Sequence, residues 1–498
     1  MTVPTTVVVP TVGRPSLTAL LQALGRASGP RPVEVLVVDD RPDGGDLTAF
    51  LPGDDVLPVR VLRSGGRGPA AARNVGWRHA RTEWVSFLDD DVLPDDDWPA
   101  RLAEDLAGLA ADVAASQGRV RVPLPADRRA TDWERLTAGL ADARWITADI
   151  SYRRSALVRV GGFDERFPRA FREDADLALR VEDDGARLVV GDRWITHPVR
   201  PVDDWVSLRT QAGNADDPLM TRLHGRDWYE RAGAIRGRRS RHVAMTVAGA
   251  SALALAAARR PRLAALAAAG WLAGGVELAW ARIAPGPRDR AEVRRMVLTS
   301  FAIPPAATWH TLRGQWQHRG AAPWRGAPDL VLWDRDGTLV HDVPYNGDAA
   351  LVRPVDGVAE ALERLRAAGV RVGVVTNQSA VGTGRITYEQ MDAVNAEVDR
   401  LLGPFDVWQV CPHAPADGCG CRKPAPGMVK EACAQLDVPV ERCLVIGDIG
   451  SDCAAASAAG AVGMLVPTSA TRPEEVTAAE HVHATATAAV DAALAGRW

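Results

Sequence analysis

The sequence predicts two doubly wound α/β domains joined by a helical segment, and three observations carry that reading. Short apolar runs alternate with amphipathic ones at both ends of a 498-residue chain, which is too long for a single core. Several of those runs end in carboxylates, as at Asp39-Asp40, Asp89-Asp90-Asp91 and Asp334-Arg-Asp336. Open α/β sheets place their ligands at such strand ends. Between about residues 231 and 327 the alternation stops and alanine- and leucine-rich runs take over. The expected domains are therefore 1–230, 231–327 and 328–498.

In the first domain, strands are expected at Val7–Pro10, Val33–Val38, Val59–Leu62 and Trp84–Leu88. Helices are expected at Ser16–Leu24, capped by its serine, and at Pro69–Ala80. In the last domain, Leu330–Trp333, Val370–Thr376, Val407–Val410 and Cys443–Gly447 read as strands. Val358–Ala368, Tyr388–Leu402, Met428–Leu436 and Asp452–Ala459 read as helices. Between the domains, Arg231–Arg241 carries five arginines, and Arg259-Arg-Pro-Arg262 splits the runs Val243–Ala258 and Leu263–Trp280. At about 1.5 Å per residue each run is shorter than a hydrocarbon core of about 30 Å. Glu277 interrupts the second run. Two readings stay open: a hairpin at the anionic cytoplasmic leaflet, or a soluble hairpin packed on a catalytic domain.

A net charge of -4 gives no electrostatic footprint for nucleic acid. All six cysteines follow residue 410, and three of them join His413 in the four-ligand cluster Cys411-Pro-His413 and Cys419-Gly-Cys421. That pattern is a metal site in a reducing compartment, and the expected address is the cytoplasm. The ligand types suit a closed tetrahedral structural zinc. Cys433, Cys443 and Cys453 are expected to be core thiols. Of 59 basic residues only Lys423 and Lys430 are lysine. Where arginine serves, this chain uses it, so Lys423 is expected where a compact ammonium is needed.

Asp334 and Asp336, two apart at a strand end, suit phosphate hydrolysis through a carboxylate nucleophile and a second carboxylate as acid and base. Mg2+ would relieve the repulsion between Asp334 and the phosphate, with Asp448 and Asp452 as further ligands beside Asp336. Thr376 and Asn377 would hold the phosphate oxygens, and Lys423 with Arg422 would neutralise them. These residues resemble the haloacid dehalogenase superfamily of phosphatases, matching its Asp-x-Asp-Gly-Thr, strand-end Thr, Lys and Gly-Asp-x-x-x-Asp motifs. More narrowly, Thr376-Asn-Gln-Ser379 and the Cys-Pro-His…Cys-x-Cys-Arg-Lys-Pro stretch are similar to heptose 1,7-bisphosphate 7-phosphatases and their histidinol-phosphatase relatives. The resemblance implies a Rossmann-like domain with a minimal cap and a zinc loop facing the substrate. The chain departs from the family at Ala380-Val-Gly-Thr-Gly-Arg385, where the basic residue is displaced.

The first domain carries a looser set: Asp39-Asp40, Arg73-Asn74, Asp89-Asp90-Asp91 and Glu173-Asp174. A strand-end carboxylate trio can hold Mg2+ or Mn2+ against a diphosphate, and an acidic pair at a helix start can act as a base. Val37-Val-Asp-Asp40, Ala72-Arg-Asn-x-Gly76, Phe87-Leu-Asp-Asp-Asp91 and Glu173-Asp-x-Asp-Leu177 resemble family-2 glycosyltransferases of the GT-A fold. That resemblance implies that Asp39 or Asp40 binds the nucleotide base, that Asp89 and Asp91 serve the metal–diphosphate, and that Asp174 is the base of an inverting transfer. His197 is expected to be structural. Together the two resemblances imply a bifunctional enzyme acting on a sugar phosphate and on a nucleotide-sugar donor. The alternatives are histidinol phosphate as the phosphatase substrate, or one half serving as a non-catalytic binding module.

Overall fold

The computed structural model describes residues 2–53 and 57–498 and divides into two compact units, Met1–Pro323 and Trp324–Trp498. The first holds an eight-stranded sheet of β1 (Thr2–Thr11), β2 (Arg31–Asp39), β3 (Val59–Arg63), β4 (Trp84–Leu88), β5 (Leu93–Pro94), β6 (Val113–Arg121), β7 (Asp149–Arg153) and β8 (Arg187–Thr196). Its order is β3-β2-β1-β4-β7-β6-β8-β5. The first four strands pair in parallel, while β7 runs antiparallel to both β4 and β6. Val7–Val9, Val35–Val38 and Val85–Leu88 are fully buried, Ser86 included, because helices cover both faces of the parallel half. Strand order reverses between β1 and β4, so the ends of β1, β2 and β4 open into one crevice.

The helix after β1 spans Ser16–Arg26. Ser16 is its first helical residue and not its cap: Pro15 holds the N-cap position with helical dihedrals and makes no side-chain hydrogen bond. The middle segment forms three helices, Arg239–Ala257, Pro261–Ile283 and Arg290–Gln317. They belong to the first unit, whereas the sequence reading set 231–327 apart. Arg282 pairs with Asp132 at 2.7 Å, and Glu292 accepts the Asp132 backbone amide at 2.9 Å, tying the second and third helices to the sheet domain. Glu277 accepts from Arg238 and Arg241 of the neighbouring segment. Pro261–Ile283, two residues longer at its start and three at its end than the apolar run, is long and apolar enough to cross a membrane by length and composition alone.

The second unit is an all-parallel sheet of β9 (Leu330–Trp333), β10 (Arg371–Asn377), β11 (Val407–Cys411), β12 (Cys443–Gly447) and β13 (Val462–Leu465), in the order β11-β10-β9-β12-β13. β9 is central and buried throughout, as a strand covered on both faces must be. Cys433 and Cys443 lie in its core. The C-terminal ends of β9, β10 and β12 place Asp334, Thr376 and Asp448 side by side.

Candidate functional sites

In the second unit the chain leaves β9 at Asp334, whose amide donates to Ile446 O at 2.9 Å. The turn that follows needs Gly337, which has φ of +83° and packs against the Asp448 carboxylate. Lys423 Nζ lies 2.6 Å from both Asp334 Oδ1 and Asp452 Oδ1 and donates to Val375 O at 2.9 Å. The ammonium is fully enclosed and its pKa rises, since the two carboxylates outweigh the burial. One buried lysine faces three carboxylates here: ligand oxygens of Asp334, Asp448 and Asp452 lie within 4.8 Å of one another. Burial, reinforced by Asp452 and Asp336, pushes the Asp334 carboxyl up to about 8 despite Lys423. Asp448 is likewise raised, by burial and by Asp452.

Asp336 stands outside that trio. Its carboxylate accepts from Arg335 at 3.0 and 2.9 Å and from Gln378 Nε2 at 2.7 Å, and Gln378 also donates to Thr376 Oγ1 at 2.9 Å. The expectation of Asp336 as a side-chain metal ligand therefore meets a carboxylate already engaged elsewhere. A cavity of about 410 Å³ is lined by Asp334, Asp336, Thr376, Asn377, Lys423 and Asp448, with Tyr345 at its edge. Arg422 does not line it. Lys423 takes the inward position, and Arg422 NH1 is buried without a hydrogen-bond partner among the described residues. Asn377 lines the cavity, but its side-chain amide is committed to a reciprocal pair with the Lys423 backbone, accepting from N at 3.0 Å and donating to O at 3.1 Å. The displaced Arg385 does not line the cavity, but it lies 4.0 Å from the ring centroid of Tyr345, which does.

The cysteine cluster stands one step away. Asn377 and Cys411 are register partners on β10 and β11, and Gln378 N donates to Cys411 O at 2.7 Å. Cys411 Sγ lies 3.6 Å from Cys419 Sγ, 3.4 Å from Cys421 Sγ and 3.5 Å from His413 Nδ1; Cys421 Sγ lies 3.2 Å from His413 Nδ1. A tetrahedron with Zn–S bonds of about 2.3 Å has S···S edges of about 3.8 Å, so the four ligand atoms fit one zinc with small adjustments.

In the first unit, Asp39 is fully buried and held bidentately by Arg41 at 2.8 and 2.7 Å. Burial raises its pKa, but the Arg41 hydrogen bonds prevail and leave it below the ordinary value. Asp40 accepts from Ser64 Oγ at 2.7 Å and from Gly68 N at 3.0 Å, and lines a cavity of about 260 Å³. Asp89, Asp90, Arg73, Arg14 and Arg200 line the same cavity. Asp90 is fixed by Thr11 at 2.6 Å and Arg14 at 2.8 Å, Asp89 accepts from Arg73 at 2.8 Å, and Asp91 pairs with Arg200. His197 Nε2 is 3.8 Å from Asp91, a support rather than a cavity wall. Arg73, almost wholly buried, bridges Asp89 to Glu173 at 2.8 Å on each side. Burial and Asp174 push Glu173 up to about 8, and burial also raises Asp174. Asp176, by contrast, is spent on Arg180 and on His224 at 2.8 Å.

Residues 6–167 match the family model described as Glycosyl transferase family 2, and residues 420–492 match one described as HAD-hydrolase-like. A probable D-glycero-D-manno-heptose-1,7-bisphosphate 7-phosphatase of Thermoplasma acidophilum is 37% identical over 122 residues, covering 24% of this chain and 76% of the relative. The D-glycero-beta-D-manno-heptose-1,7-bisphosphate 7-phosphatase of Pseudomonas putida is 34% identical over 148 residues, covering 28% of this chain and 82% of the relative. The chain joins a family-2 glycosyltransferase domain to a phosphatase domain of the heptose-bisphosphate phosphatase family. It is an enzyme of transferase and phosphoric monoester hydrolase type. Among solved structures, a mannosyltransferase from Pyrobaculum calidifontis in complex with GDP-Man and Mn2+ is 21% identical, with a TM-score of 0.40, covering 63% of this chain and 88% of that one. A D,D-heptose 1,7-bisphosphate phosphatase from B. bronchiseptica, complexed with magnesium and phosphate, is 28% identical, with a TM-score of 0.31, covering 33% and 96%.

Some residues of these sites carried no readable signal. Arg200 reaches the transferase crevice from a loop after β8. In the phosphatase unit, Thr468 Oγ1 donates to Asp448 at 3.1 Å and Thr338 Oγ1 at 3.3 Å, while Gln378 orients Asp336. Thr338 and Gln378 lie inside the quoted Asp-x-Asp-Gly-Thr and Thr-Asn-Gln-Ser stretches without a role readable from them, and Arg200 and Thr468 belong to no spacing that a single sequence marks out.

Proposed function

We propose that the phosphatase unit hydrolyses heptose 1,7-bisphosphate at its 7-phosphate, and that the transferase unit is an inverting nucleotide-sugar glycosyltransferase. The Lys423–Asp334 contact at 2.6 Å beside a separately held Asp336 carries the first reading. Asp334 attacks phosphorus, and the bond to the sugar oxygen breaks as Asp336 gives that oxygen a proton. Asp336 then takes a proton from the water that attacks the aspartyl-phosphate, releasing phosphate and restoring Asp334. Lys423 and Thr376 hold the phosphate oxygens throughout. Asp334, Asp448 and Asp452 would hold Mg2+, which supplies charge neutralisation for the phosphate when bound. Cys411, His413, Cys419 and Cys421 would hold a structural zinc that fixes the turn bearing Lys423.

Heptose bisphosphate is favoured over histidinol phosphate because a glycosyltransferase shares the chain, and histidine synthesis has no use for one. Phosphate release from the two substrates, followed side by side with the full chain and Mg2+, is expected to give the larger kcat/KM for the heptose. A larger value for histidinol phosphate reverses the assignment.

The raised Asp334 also sets a pH dependence. Its folded pKa lies above the ordinary 3.8, so between roughly pH 4 and 8 the metal-free unit binds a proton that the unfolded chain has lost. Stability without metal therefore falls as pH rises through that window. Mg2+ must displace the proton, so its apparent affinity should rise by up to about tenfold per pH unit and level off above pH 8. Calorimetric Mg2+ titrations at pH 6, 7 and 8 check this, and an affinity independent of pH refutes it.

For the transferase, Asp40 is assigned to the nucleotide base, since Asp39 is consumed by Arg41. Asp89 and Asp91 would hold a Mg2+ or Mn2+ ion, which supplies charge neutralisation for the donor diphosphate when bound, and Arg73 and Arg200 are their counter-charges. Asp174, raised by burial, is the acceptor's base. Asp174→Asn should lower transfer by about 10²–10⁴-fold while phosphate release stays at the wild-type rate. Screening nucleotide sugars, beginning with activated heptoses, provides the donor for that assay.

A further inference from the structure

Within the first unit, away from the crevice at the ends of β1, β2 and β4, a second cavity of about 580 Å³ is walled by five arginines: Arg222, Arg226, Arg236, Arg239 and Arg319. The counter-charge is sparse. Of the five, Arg236 has an ion-pair partner among the described residues, Glu230 at 3.7 Å with both side chains largely exposed, while Asp217, which accepts from the lining Tyr229 at 3.0 Å, is paired with Arg172. Arg222, Arg226, Arg239 and Arg319 form no ion pair among the described residues. Five guanidinium groups around one concavity raise the local potential and match phosphate oxygens bidentately, as an ammonium would not.

A second feature adjoins it. Helix Arg290–Gln317 ends at the cavity through Gln315, and Arg319 of the cavity wall lies 5.5 Å from the Trp316 ring. Trp309, Leu312 and Trp316 fall on one face of that helix and are 63%, 55% and 67% exposed. Thr246 and Thr308 share a 3.0 Å hydrogen bond, so helix Arg239–Ala257 runs alongside, and it too exposes apolar side chains, Val243 and Val247. Bare tryptophans beside unpaired arginines are the arrangement that suits the boundary between lipid headgroups and acyl chains.

We propose that this cavity seats the phosphate head of an anionic membrane lipid, with Trp309, Leu312 and Trp316 entering the acyl layer beside it. The shared chemistry is a phosphate bearing two negative charges, and the lipid source is favoured by the exposed aromatic face. This inference is independent of the phosphatase assignment, and a failure of either leaves the other standing.

The test uses the full chain floated with phosphatidylcholine vesicles, with and without phosphatidic acid, at low and high salt. Binding is expected only with phosphatidic acid and should weaken with salt. Arg222→Ala/Arg226→Ala/Arg239→Ala should reduce it on the order of a hundredfold, at about fivefold per arginine. The corresponding triple lysine variant should keep most of the binding, which separates lost charge from lost fold. Trp309→Ser/Trp316→Ser should also weaken flotation, and phosphate release should be unchanged in every variant. Wild-type flotation by the triple alanine variant, or no flotation of the wild type, overturns the proposal. If inorganic pyrophosphate displaces the vesicles at micromolar concentration and the tryptophan variant floats normally, the ligand is a soluble phosphate and the lipid assignment falls.

Discussion

Asp334→Asn should abolish phosphate release, by at least about 10⁴-fold, because an amide cannot form the aspartyl-phosphate. The substitution is nearly isosteric, and Lys423 keeps its contacts with Asp452 and with Val375 O. It also removes one of three buried carboxylates facing that single lysine. The metal-free variant should therefore be at least as stable as the wild type near pH 8, which separates a chemical defect from a folding one. Asp336→Asn should fall less far, by about 10²–10⁴-fold, since it removes proton transfer rather than the covalent step. Rapid-quench phosphate release and thermal melting of both variants decide the matter. Undiminished turnover in Asp334→Asn removes that residue from the nucleophile's role.

Cys419→Ser should cost the zinc, the stability and much of the activity together. Structural zinc sites contribute about 10–16 kcal/mol of apparent binding energy in small folded peptides, and serine is a poor ligand. A loss of only about 4 kcal/mol in a unit of this size lowers Tm by about 8–16 °C. Activity should suffer through Lys423: the chain runs from Cys421 through Arg422 to Lys423, whose backbone is clamped by Asn377 next to the Cys411 rung. Elemental analysis should find about one zinc per wild-type chain and markedly less in the variant. Full occupancy in Cys419→Ser moves the site elsewhere.

The elements legible in the sequence were those whose physics is local. β4, β9 and β12 were read at their observed bounds because strands covered on both faces are continuous apolar runs. β6 and β8 carry no such run. β6 mixes small and polar residues, and β8 buries Arg193 by pairing it with Asp149 and Asp105 from elsewhere in the chain. Helix Arg290–Gln317 was hidden by Pro304 and Pro305, which a helix tolerates here without announcing itself. The same division runs through the sites. Carboxylates at strand ends and the cysteine spacing were plain, because function there depends on residues close in sequence. Arg422 and Asn377 were assigned by adjacence to the right residues, but which of two neighbours faces inward depends on contacts such as the Asn377–Lys423 pair. Arg200 and Thr468 come from loops whose approach only tertiary structure reveals.

The central position of β9 orders events during synthesis. Leu330 pairs on one side with Arg371 and on the other with Cys443, which emerges from the ribosome more than a hundred residues later. The strand that bears the nucleophile thus leaves the tunnel early and keeps one apolar edge without a partner until β12 follows. The transferase half, by then entirely translated, has had time to collapse on its own. The phosphatase half pays the slow kinetics of non-local parallel pairing at its very heart, and an interrupted translation product ending before Cys443 would carry a naked strand edge primed for aggregation.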